Sequence, residues 1–163
     1  MTASATVEVN LSQSVQTLDI TLQPPADAYR CIQVEARIQT TDDESWPWDD
    51  EHADTHHFRE VLVGPWDTHE EVYFEQRMGG EIRIELRFII DLEMDRSVKV
   101  NINAKMYEGT SEDTDDLEDE KNCTEFRVAK GKQRNGSIRL YNDEFAGGDV
   151  SNIRFTITNL IQS

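Results

Sequence analysis

Apolar and polar residues alternate along most of this chain. In the segment GEIRIELRFII, Ile82, Ile84, Leu86 and Phe88 share one side while Glu81, Arg83, Glu85 and Arg87 take the other. That is the period-two signature of a strand with one buried face. Val98, Val100, Ile102, Ala104 and Met106 repeat it, as do Ile32, Val34, Ala36 and Ile38. Shorter candidates lie at 6–11, 15–22, 58–63, 72–77, 124–129, 137–142 and 151–160, which brings the expectation to ten strands. Most are closed by turn residues such as Pro24-Pro25, Gly79-Gly80, Asn135-Gly136 or Gly147-Gly148. A helical period never holds for three turns. Many short strands without crossover helices predict an all-β fold, an antiparallel two-sheet β-sandwich of jelly-roll or C-two-like type. Residues 1–163 are expected to form one domain, since a chain of this length buries enough surface to fold without staples.

Charge narrows the possible partners. The chain carries 33 acidic against 16 basic residues, a net charge of −17. Such a surface repels phosphate backbones and anionic lipid, which argues against direct nucleic-acid binding and against membrane contact. It suits cations or a basic protein partner. Cys31 and Cys123 lack a Cys-x-x-Cys spacing and read as buried thiols, with pairing left open. The start MTASATVEV has neither the basic segment nor the apolar core of a signal peptide, which predicts the cytoplasm. A domain trimmed from a secreted precursor would begin in the same way.

The acids are unevenly spread. Residues 41–57 hold seven and residues 108–121 hold eight, so fifteen of the 33 fall in two segments that read as too polar for strands. Connections of that length inside a domain tend to be functional or mobile. Each antiparallel strand carries the chain to the opposite pole, and four strands separate the two acidic segments, so both should lie at one pole. Two further strands bring 142–149 to the same end, with the basic turn KGKQRNG at 130–136 at the other.

Crowded carboxylates favour a cation that neutralises them, and calcium accepts six to eight oxygens from flexible segments. The candidate calcium ligands are Asp43, Asp49, Asp113, Asp115 and Asp119, with Asp42, Asp50 and Asp116 as alternates. The spacings Asp43-x5-Asp49 and Asp113-x-Asp115 resemble the C-two family of calcium- and lipid-binding β-sandwiches. That resemblance implies calcium ligation by these aspartates and, through bound calcium, contact with anionic lipid. The chain departs from the pattern at Asp119, which is separated from the Asp-x-Asp pair by three residues where the family has five, and it lacks the family's Ser-Asp-Pro-Tyr run.

His52, His56, His57 and His69 lie within eighteen residues and could offer a transition-metal site, although no His-x-His or His-Glu-x-x-His spacing occurs. Trp46, Trp48 and Trp66 sit in predicted connections. Trp46 and Trp48 could stack on a sugar or a protein partner, whereas Trp66 reads as a cap over the core. No nucleophile elbow or phosphate-cradling glycine loop is present. The expected function is a non-enzymatic interaction module whose acidic segments bind calcium or a partner macromolecule. The alternatives are a structural or adaptor subunit docking a basic protein and a carbohydrate-binding module.

Overall fold

The computed structural model describes residues 3–11, 14–22, 28–42, 51–109, 116–142 and 148–160. The expected two-sheet antiparallel sandwich is what forms. Its strands are β1 (Ala3–Leu11), β2 (Ser14–Leu22), β3 (Arg30–Asp42), β4 (Glu51–Val63), β5 (His69–Met78), β6 (Ile82–Leu92), β7 (Val98–Tyr107), β8 (Leu117–Val128), β9 (Gln133–Tyr141) and β10 (Val150–Leu160). β1 and β2 pair only with each other. The remaining strands make a first sheet ordered β4-β3-β10-β9 and a second ordered β5-β6-β7-β8. Among the described residues no helix is long and apolar enough to cross a membrane.

From β3 to β10 the chain runs up and down. It crosses between sheets after β4 and after β8, and it closes when β10 pairs antiparallel with β3 from Val150↔Thr41 to Leu160↔Cys31. A jelly roll is built from two Greek keys; this order is a meander closed on itself.

The alternating positions meet in one core. Ile32, Val34, Ala36 and Ile38 of β3, with Ile153, Phe155 and Ile157 of β10, face Ile84, Leu86 and Phe88 of β6 and Val100, Ile102 and Ala104 of β7. An aromatic chain runs through it. His57 stacks on Phe74, Phe74 meets Phe88 edge-on, Phe88 meets Phe155 edge-on, and Phe155 stacks on Phe126. One polar network also lies inside. Gln76 accepts from Thr40 Oγ1 at 2.5 Å and donates to the Ile38 carbonyl at 3.0 Å and to Thr55 Oγ1 at 2.9 Å, while Ser151 Oγ lies 3.0 Å from Thr40 Oγ1. Both sheets and four strands are thereby tied in one register, because slipping any strand would leave buried polar atoms unpaired.

Two strand boundaries correct the sequence reading. Residues 51–57 belong to β4 and residues 117–121 to β8, although both were expected in acidic loops. The reason is position: β4 and β8 each lie at one edge of their sheet. An edge strand has water on one flank and incomplete cover on its inward side, so it tolerates charge at nearly every position and is protected from pairing with other chains by it. β8 is also irregular, with register shifts between Val100 and Ile102 and between Met106 and Tyr107 of its partner β7, as bulges at sheet edges commonly produce.

Candidate functional site

The described ends of eight strands, β3 to β10, gather at one pole. Thr41 of β3 stands opposite Val150 of β10, and Val150 opposite Tyr141 of β9. The second sheet joins them there through Asn142, whose side-chain amide donates to Glu108 beyond β7. On the other side of the pole, a β-carbon at Gly79 would stand 3.1 Å from Asp42 Oδ2 and 3.2 Å from Glu51 Oε2, so both carboxylates flank the β5–β6 turn. That turn needs its glycines, because Gly79 and Gly80 have φ of 65° and 81°. Strand parity is thus confirmed for the described flanks. Asp42, Glu51, Glu108, Asp116 and Asp149 all stand where residues 43–50, 110–115 and 143–147 join the strands. Between the ends of β7 and β8 a depression of about 380 Å³ is lined by Glu108, Gly109, Asp116, Leu117 and Glu118. The turn at 130–132 lies at the opposite pole, where the Gly131 amide donates to the Asn159 carbonyl at 2.7 Å, whereas residues 133–136, expected in that turn, open β9.

Of the predicted calcium ligands, Asp43, Asp49, Asp113 and Asp115 lie outside the described residues, as does the alternate Asp50. Asp119 is described. Its side chain is only 12% exposed, it accepts from Lys121 Nζ at 2.8 Å through Oδ1, and it accepts from the Tyr141 amide at 3.2 Å through Oδ2. Asp119 therefore latches β8 to β9 across the seam between the sheets. Lys121, held by that carboxylate, has its pKa raised. Among the described residues no group of three or more His, Cys, Asp or Glu side chains is placed to hold a metal ion.

The histidines do not converge. His56 lies on the outer face of β4 with Nε2 2.7 Å from Glu35 Oε1, and His52 is 3.1 Å from Thr41 Oγ1. His57 turns inward onto Phe74, and burial, helped by neighbouring His56, lowers its pKa. His69 stands at the far end of β5, 2.8 Å from Asp91, whose carboxylate raises its pKa. Trp66 is 48% exposed in the β4–β5 connection, which corrects its expected role as a core cap, and Trp46 and Trp48 lie outside the described residues. Cys31 and Cys123 are free thiols on different sheets. Burial, with Glu60 beside it, pushes Cys31 up to about 11, and burial alone raises Cys123. Neither has the thiolate character of a reactive cysteine at neutral pH.

Sequence reasoning missed the outer face of the first sheet. There β9 and β10 present Arg139 and Arg154 on neighbouring strands, beside a cleft of about 660 Å³ lined in part by Arg37, Asn135, Ser137 and Thr156. Alternation marks both arginines as outward-facing, but which residues they meet depends on strand register. No known protein family and no curated protein matches the chain.

Proposed function

We propose that this chain is a non-catalytic interaction module that docks a cationic partner, a basic protein segment or calcium, at its acidic pole. The observation that carries this reading is convergence. Strands from both sheets deliver Asp42, Glu51, Glu108, Asp116 and Asp149 to one end, and nine further acids lie in the segments 43–50, 110–115 and 143–147 that join those strands. A field of one sign focused at one end raises the local concentration of opposite charge and speeds encounter. The acid-lined depression between β7 and β8 offers a place where a lysine, an arginine or a hard cation would exchange hydration for carboxylate oxygens. The sequence carries none of the nucleophile or phosphate-cradling motifs that would favour catalysis there.

Two variants of equal net charge test the reading. One neutralises the pole (Glu51→Gln, Asp116→Asn, Glu118→Gln), and the other neutralises the outer face of the second sheet (Glu71→Gln, Glu120→Gln, Glu125→Gln). Binding of a defined-length polylysine peptide at physiological ionic strength should weaken far more in the first. Equal weakening would reduce the interaction to bulk charge and refute a polar site. In a second arm, calcium should raise the melting temperature beyond magnesium at equal ionic strength, since magnesium sheds its water reluctantly. The double variant Asp113→Asn, Asp115→Asn should remove that excess. Identical responses to the two ions would eliminate calcium and leave the basic segment as the partner.

A further inference from the structure

In a chain with twice as many acids as bases, a cation finds a carboxylate by default. The outer face of the second sheet obeys this. Arg77, Arg83, Arg87, Lys99, Lys105 and Arg127 each have a carboxylate oxygen within 4.0 Å. On the first sheet Arg37 follows suit, held by both oxygens of Asp54 at 2.8 and 2.5 Å, an arrangement that lowers the pKa of Asp54. The guanidinium groups of Arg139 and Arg154 have no hydrogen bond or ion pair to any described residue. Register makes this costly. Arg154 stands directly opposite Arg37 on β3, and like charges facing each other across a strand pair repel.

The same register brings these two arginines together. Arg139 pairs with Asn152, and Arg154 pairs with Ser137, so the arginines are diagonal neighbours across β9 and β10. Diagonal neighbours lie roughly 7–8 Å apart, within reach of long side chains. The depression around them, about 390 Å³, is lined by Gln39, Ser137, Arg139, Asn152 and Arg154 with backbone of β9 and β10, and it contains no acidic residue. Ser137 and Arg154 also line the adjoining cleft, whose walls carry Asn135 and Thr156.

We infer that this acid-free depression is a binding site for the oxyanion of a small carboxylate- or phosphate-bearing ligand. The anion sits between the guanidinium groups of Arg139 and Arg154, whose forked donors match both geometries, with the Ser137 hydroxyl and the Asn152 amide as further donors. The neutral, polar body of the ligand extends into the adjoining cleft between Asn135 and Thr156, in a volume typical of small-molecule sites. Glu35 on the far wall of that cleft, bound to His56, disfavours a second anionic group and so selects ligands charged at one end. This site is independent of the acidic pole.

The test is a titration of isotopically labelled protein with inorganic phosphate and, separately, with acetate, at constant ionic strength, followed by amide chemical shifts. Localised, saturable shifts at Ser137, Arg139, Asn152 and Arg154 are expected in the millimolar range. The stronger of the two ions identifies the headgroup. Arg139→Gln and Arg154→Gln should each weaken binding by about tenfold or more, as loss of a charge-assisted contact does, while Arg59→Gln on β4 should leave it unchanged. Because the net charge repels anions, bulk attraction cannot imitate this response. Shifts absent with both ions, spread over the whole molecule, or retained in the Arg154→Gln protein would overturn the inference. The calcium response of the acidic pole should persist in both arginine variants, so the two sites fail separately.

Discussion

Gly136→Ala isolates one close approach in the fold. Gly136 of β9 pairs with Phe155 of β10, and a β-carbon there would lie 2.2 Å from Phe155 Cζ and 2.8 Å from both Cε atoms. Non-bonded carbons rest at about 3.5–4.0 Å, so the ring must move. It has little room. Phe88 meets it edge-on with centroids 5.8 Å apart, and Phe126 stacks on it at 6.2 Å. Overpacking a core in this way costs about 1–3 kcal/mol. Against that, Gly136 is not among the glycines with positive φ, so alanine brings no backbone strain and restricts the unfolded chain, a gain of about 0.4–1 kcal/mol. The net expectation is a loss of about 1–2 kcal/mol. In urea this lowers the unfolding midpoint by about 0.5–1 M without altering the slope. The decisive arm repeats the substitution in Phe155→Leu, where the ring tip is gone. There alanine at 136 should be neutral or stabilising. The same loss in both backgrounds, or no loss in the parent, would refute the steric argument.

Gln76→Leu should destabilise by about 2–3 kcal/mol in chemical denaturation, because Thr40 and the Ile38 carbonyl lose their partner inside the core and leucine offers none. His69 and Asp91 give a pH signature: the histidine's pKa is raised by the Asp91 hydrogen bond, and that of Asp91 is lowered chiefly by His69. The histidine's contribution to stability is full below its ordinary pKa and fades as pH rises through the raised value, while that of the aspartate is present above its ordinary pKa and fades as pH falls. The melting-temperature gap between parent and His69→Asn should therefore be widest at about pH 5–6 and close toward pH 8; a gap that does not vary with pH would show that the pair contributes packing alone.

The sandwich was legible because its central strands have water on neither flank. β3, β6, β7 and β10 must bury every second side chain, and Ile82, Ile84, Leu86 and Phe88 or Ile153, Phe155 and Ile157 print that demand on the sequence. The edges were not legible in the same way. Ala53, Thr55 and His57 occupy inward positions of β4 that are only half covered, so composition there reads as loop. Strand parity placed the acidic pole correctly even so, because extending β4 and β8 lengthened strands without changing their number. The sequence offers Asp119 as a calcium ligand in an acidic loop, whereas the strand start at Leu117 turns it into the seam beside Lys121 and Tyr141. The diagonal placement of Arg139 beside Arg154 had no sequence signal, since it arises from the register of β9 and β10 and not from the spacing of either residue along the chain.

The closure of the meander has a temporal consequence. β10 occupies the slot between β3 and β9, and it is synthesised after every other strand of the sandwich. The second sheet consists of consecutive hairpins and can assemble as it emerges, whereas the first must wait with two bare edges until its missing member arrives. Arg154 arrives on that member, opposite Arg37. A nascent chain therefore has no oxyanion depression, and any ligand that fills it rewards only molecules in which the ring of strands has shut.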